Sequence, residues 1–150
     1  MALAPDNVWA VGSSGDVSDG PTLTLIEHYD GSEWSVVPSP NVGPNSMFQS
    51  NRLFGITALS PTDIWAFGQV SVNSDLDKKT LLLHWDGTSW TLAPSPSPDM
   101  GGPLLDTLFG GVTTGQNVWI VGAQSAVPGS DLFTATLAIH STTAAGAGSN

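Results

Sequence analysis

The clearest regularity along the chain is a short apolar run with no polar alternation that recurs three times. Asn7-Val8-Trp9-Ala10-Val11-Gly12, Asp63-Ile64-Trp65-Ala66-Phe67-Gly68 and Asn117-Val118-Trp119-Ile120-Val121-Gly122 align residue for residue, their tryptophans 56 and 54 positions apart. A second block, Ile26-Glu27-His28-Tyr29-Asp30-Gly31-Ser32-Glu33-Trp34-Ser35, returns 56 residues later as Leu82-Leu83-His84-Trp85-Asp86-Gly87-Thr88-Ser89-Trp90-Thr91. The third copy keeps only Leu137-Ala138-Ile139-His140. A period of this length marks a repeat architecture in which each unit is one supersecondary element.

Within the second unit, four runs suit β-strands: 53–59, 63–69, 80–85 and 89–93. Ser60-Pro61-Thr62 joins the first two, since Pro presets a turn and offers no ladder donor. Asp86-Gly87 joins the last two, because Gly accepts the positive φ of a tight hairpin. No helical periodicity is present. The second run is apolar on both faces, so the sheet must be covered on both sides. Radially packed four-stranded blades do this, whereas a sandwich has no reason for a 56-residue internal repeat. The expected fold is therefore all-β: antiparallel four-stranded meanders of a β-propeller, about two and a half to three blades, in an incomplete ring.

These units resemble the tandem Trp-rich propeller repeats of large bacterial proteins, with D-V-W-A-V-G followed by H-W-D-G-T-S-W and P-S-P. The resemblance covers nearly the whole chain and implies no assigned activity. The Asp-Gly-x-x-Trp hairpin is similar to the Asp-box of sialidases. The layout is similar to kelch blades, although the kelch Gly-Gly doublet is missing here.

The repeat units fall at about 1–52, 53–107 and 108–140, with 141–150 read as a flexible tail rich in Ala, Gly and Ser. Only Met1-Ala2-Leu3 stands for the first strand of the first unit, and the third lacks its fourth strand. Propellers close with about 4–8 blades. The end blades would otherwise expose apolar faces, so the expected partner is a second copy, most simply a dimer, or further blades of a longer chain.

Composition narrows the partners further. Three basic residues against thirteen acidic ones give a net charge of −10, which repels nucleic acid and anionic membrane surfaces. No apolar stretch reaches the ~18–20 residues of a membrane span. There is no cysteine, so disulfide and thiolate chemistry are excluded while the redox compartment stays open. The Ser/Thr/Gly/Trp-rich composition points to a secreted or cell-surface protein, with the cytoplasm left open.

The chemistry-bearing residues favour packing and hydrogen bonding. His28, His84 and His140 share one repeat position, but ring geometry keeps equivalent residues apart, so a hydrogen-bonding role is expected rather than a shared metal. Trp9, Trp34, Trp65, Trp90 and Trp119 are expected in the core between blades, and Trp85, whose counterparts are Tyr29 and Ser141, at a variable surface position. Asn73, Asp75 and Asp77 begin like a calcium loop, yet Lys78 stands where that loop needs Gly, and His84 replaces the closing Glu. A sialidase-type site resembles an arginine cluster with a tyrosine nucleophile; the chain has one Arg and one Tyr. No catalytic residues, metal or cofactor are therefore assigned.

In a meander the tight turns share one side of the ring and the longer connections, 13–21, 38–51, 70–79, 94–106 and 123–130, share the other. Binding residues concentrate on loops held by a scaffold, which nominates Asp16, Asp19, Asn73, Asp75, Asp77 and Asp99 as a ligand face, for a glycan or a protein. The expected function is a non-enzymatic structural or binding module. The alternatives are a lectin-like propeller and a fragment of a propeller glycoside hydrolase or sialidase-like enzyme.

Overall fold

The computed structural model describes residues 1–15, 20–43, 49–71, 77–97, 105–125 and 134–142. These form three antiparallel meanders, and none of the described residues is helical. The first blade comprises β1 (Ala2–Ala4), β2 (Asn7–Ser14), β3 (Leu23–Tyr29) and β4 (Trp34–Val36). The second comprises β5 (Ser50–Ser60), β6 (Asp63–Ser71), β7 (Lys78–Trp85) and β8 (Trp90–Leu92). The third has β9 (Thr107–Thr114), β10 (Asn117–Ser125) and β11 (Thr134–Thr142). Every strand pairs with its sequence neighbour, and no sheet closes on itself, which gives propeller-like blades in an open series.

The strands lie where the hydrophobic pattern puts them but extend further at the end of the long connections. The run 53–59 is the centre of the eleven-residue β5, and β7 begins at Lys78. In the third blade, β11 continues pairing to Thr142 against Asn117.

The double-sided burial of the second blade follows directly from strand alternation. On β6, Ile64, Ala66 and Val70 turn toward the first blade, where they join Trp9, Ile26, Leu53, Leu81, Leu83 and Trp90 in one core layer. Phe67 turns the other way, into a second layer with Leu82, Leu108, Val118 and Ile120. Each fully buried Leu, Ile or Phe contributes roughly 1.5–3 kcal/mol. The Phe67 ring is held between two glycines of different blades. A Cβ at Gly111 would stand 2.7 Å from the ring, and Gly55 opposite Phe67 leaves equally little room. Backbone links also tie blade to blade: Thr22 N–H donates to Gln49 O at 3.0 Å, Asn51 N–H to Thr22 O at 2.7 Å, and one blade on, Asp106 N–H to Lys78 O at 3.0 Å.

Two expectations about tryptophan are corrected. Trp9 and Trp90 are core residues, at 4% and 5% exposure, but Trp34 and Trp119, which share their repeat positions, are 50% and 42% exposed. The difference is one of neighbours: the outer faces of the first and third blades have no blade against them among the described residues. Trp85 is not a free surface aromatic either. Its ring centroid lies 5.2 Å from Trp9 and 5.8 Å from Trp90, and it packs against the first core layer.

Candidate functional site

The residues that define the repeat converge on three local devices. The first is a clasp at the start of each second strand. Asn7 and Asp63 open β2 and β6, and their Oδ1 atoms accept a hydrogen bond from the indole N–H two residues on, at 3.0 Å for Trp9 and 2.7 Å for Trp65. The same oxygen lies 3.0 Å from His28 Nε2 in the first blade and 3.0 Å from His84 Nε2 in the second. In the third, Asn117 Oδ1 lies 2.8 Å from His140 Nε2. An amide oxygen only accepts, so His28 and His140 carry their proton on Nε2. Register sets up the stack: Trp9 sits across from His28, Trp65 from His84 and Trp119 from His140. Their ring centroids are 4.4, 4.3 and 4.2 Å apart. The three histidines thus hold separate structural bonds, as their repeat position implies.

The second device is the Asp-Gly hairpin. Gly31 and Gly87 adopt φ of 98° and 95°, a conformation costly for any residue with a Cβ. Asp30 Oδ1 accepts from the Ser32 N–H at 2.9 Å, the Ser32 hydroxyl at 2.7 Å and the Glu33 N–H at 3.1 Å. Asp86 Oδ1 accepts from the Thr88 and Ser89 N–H groups, each at 2.8 Å. The Ser32 hydroxyl, helped by the Glu33 and Ser32 amides, holds the Asp30 carboxyl down to about 2. The Ser89 and Thr88 amides lower that of Asp86. Both carboxylates are turn braces, charged at neutral pH and fully engaged with their own loop.

The third device laces the Pro-Ser-Pro segments to the neighbouring strand. Thr24 N–H donates to Asn41 Oδ1 at 2.8 Å, and its hydroxyl lies 2.9 Å from Ser39 Oγ. One blade later, Thr80 N–H donates to Ser97 Oγ at 3.1 Å, and its hydroxyl donates to Pro96 O at 2.8 Å. Asn51 clamps the start of β5 by accepting the Val42 N–H at 2.9 Å. Asp106 occupies the matching place before β9 and is buried; burial raises its pKa, while the Ser97 and Gln124 side chains act to lower it.

Of the proposed ligand face, Asp77 is half-buried just before β7, whereas Asp16, Asp19, Asn73, Asp75 and Asp99 lie outside the described residues. Among the described residues no group of three His, Cys, Asp or Glu side chains is placed to hold a metal ion. No described helix is long and apolar enough to cross a membrane.

Two aromatic pairs escape the sequence reading. Phe54 and Phe109 lie at register irregularities of β5 and β9, and their exposed rings stack with centroids 6.3 Å apart. Bulges commonly re-aim a side chain in this way. The Leu-Phe-Gly triplet common to both strands is the sequence signal for it. Tyr29 and Trp34 face each other across β3 and β4, 5.5 Å apart, in the register that Trp85 and Trp90 adopt in the second blade.

Comparison with protein-family models, curated proteins and solved structures gives no match for the chain. What it does is therefore argued from its own geometry.

Proposed function

We propose that the chain is a non-enzymatic β-propeller module with a structural or binding role, which completes its ring with further blades. Its units resemble the tandem Trp-rich repeats of large bacterial proteins, and its setting is secreted or cell-surface. One observation carries it: the signature residues of the repeat are spent on bracing each blade and on seating one blade against the next. Asn7, Asp63 and Asn117 fasten a Trp or His, Asp30 and Asp86 brace turns, and Trp9 seats against Trp85 and Trp90 of the next blade. The outer faces carry Trp34 at one end and Trp119 at the other, in the repeat positions that Trp90 and Trp9 hold in the internal joint.

Sedimentation equilibrium of the chain at micromolar concentration tests the reading. Reversible association is expected; a stable monomer that captures a glycan or turns over a glycoside substrate would replace it with the lectin or enzyme alternative.

A further inference from the structure

The joint between the first and second blades is a template for pairing the two outer faces that the described residues leave uncovered. In it, the Trp9 ring lies 4.4 Å from His28 of its own blade and 5.2 and 5.8 Å from an aromatic pair on the next blade, Trp85 and Trp90. The third blade carries the same projecting half, since Trp119 is stacked on His140 at 4.2 Å with Val121 beside it on the outer face. The first blade carries the same receiving half, since Tyr29 and Trp34 are paired as Trp85 and Trp90 are. Between the second and third blades no such aromatic pair receives Trp65 among the described residues. The residue paired with Val118, in the place Trp85 has opposite Ile64, is Ser141, and that joint relies on Phe67, Leu108 and Ile120 instead.

We infer that two copies of this chain close a ring through two head-to-tail joints, with Trp119 of one copy seated on Tyr29 and Trp34 of the other. This rests on the module reading above and names its partner. The second copy fits as occupant: the described residues form three sheets, two copies bring six, and six falls within the about 4–8 blades at which propellers close. Each joint joins unlike surfaces, and the two-fold axis makes both joints at once.

One residue tunes the joint. Glu27 lies opposite Ala10, in the register that places the fully buried Leu83 opposite Ala66 in the template. In the closed ring this carboxylate must lose water without a basic neighbour from the template, so it weakens the joint. The association is accordingly reversible, and Glu27→Leu strengthens it.

Sedimentation velocity over a dilution series, with wild type and variants of the full chain, tests this. Wild type is expected to pass from 15.5 kDa to twice that mass. Trp34→Ala and Trp119→Ala each raise the dissociation constant about tenfold or more, as loss of an interfacial aromatic anchor does. Glu27→Leu lowers it. Mixing Trp34→Ala with Trp119→Ala recovers part of the association, because the mixed pair retains one intact joint. Thermal melts of dilute samples establish that each variant folds. A dimer indifferent to Trp119→Ala overturns this joint while leaving the module reading in place, and so does one lost only with Trp34→Ala, which would pair first blades face to face. A wild-type monomer overturns the joint, and capture of glycans dependent on Trp34 would overturn the module reading with it.

Discussion

Trp90 and Trp34 occupy the same repeat position with opposite surroundings, which makes them a controlled pair. Trp90 is 5% exposed and packs against both Trp85 and Trp9; Trp34 is 50% exposed with no blade above it among the described residues. Burying a Trp removes about 150–250 Å² from water, worth roughly 4–6 kcal/mol at ~25 cal/mol per Å². Against this, the Trp90 indole N–H is buried with no hydrogen-bond partner, and deleting it returns roughly 1–3 kcal/mol. Trp90→Ala should therefore cost about 3 kcal/mol, and Trp90→Phe, which keeps a ring and removes the stranded N–H, distinctly less. Trp34→Ala gives up about half the area and opens no cavity, so about 1–2 kcal/mol is expected once residual burial in the unfolded chain is allowed for. Urea unfolding in the Trp119→Ala background, where the proposed joint is weakened, reads both values from the midpoint shift at constant slope. Equal losses at the two positions would refute the claim that neighbouring blades, rather than the hairpin itself, set the worth of this tryptophan.

Three further outcomes follow from other parts of the structure. Gly111→Ala should destabilise by about 1–3 kcal/mol through overpacking against Phe67, while Gly110→Ala, whose added methyl meets Val121 at an ordinary 3.6 Å, should be tolerated; thermal melts compare them. Burial raises the Asp106 pKa in the folded chain, so the native state binds the extra proton and stability falls as pH rises through that window. Asp106→Asn, which places an amide as in Asn51, should raise the Tm at pH 7 and remove that dependence. Asp30 and Asp86 act with the opposite sign: their bonds are fully present above the unfolded value of 3.8 and are lost as pH falls toward about 2 for Asp30, so the melting temperature should drop over that range and Asp30→Asn should flatten the drop.

Much of the blade was legible because its signals are local or periodic. The apolar run at Ile64 to Phe67 demanded cover on both faces, and the structure supplies it with one blade on each side. Asp-Gly specified the hairpin through φ and through the aspartate's reach to amides two and three residues on. The common repeat position of His28, His84 and His140 implied separate hydrogen bonds, and each histidine has one. What the sequence could not reveal depends on neighbours. Trp34 and Trp90 have the same local sequence context, and only the position of the blade in the series decides which is covered. Trp85 looked variable because Tyr29 and Ser141 replace it, yet it varies with the joint it serves.

The central claim is that the repeat's signature aromatics join one blade to the next. A nuclear Overhauser spectrum of the six tryptophan indoles tests it most directly. Cross-peaks are expected from the Trp9 ring to both Trp85 and Trp90, together with separate Trp9–His28, Trp65–His84 and Trp119–His140 contacts within each blade. A Trp9 ring that meets His28 but neither Trp85 nor Trp90 would contradict it.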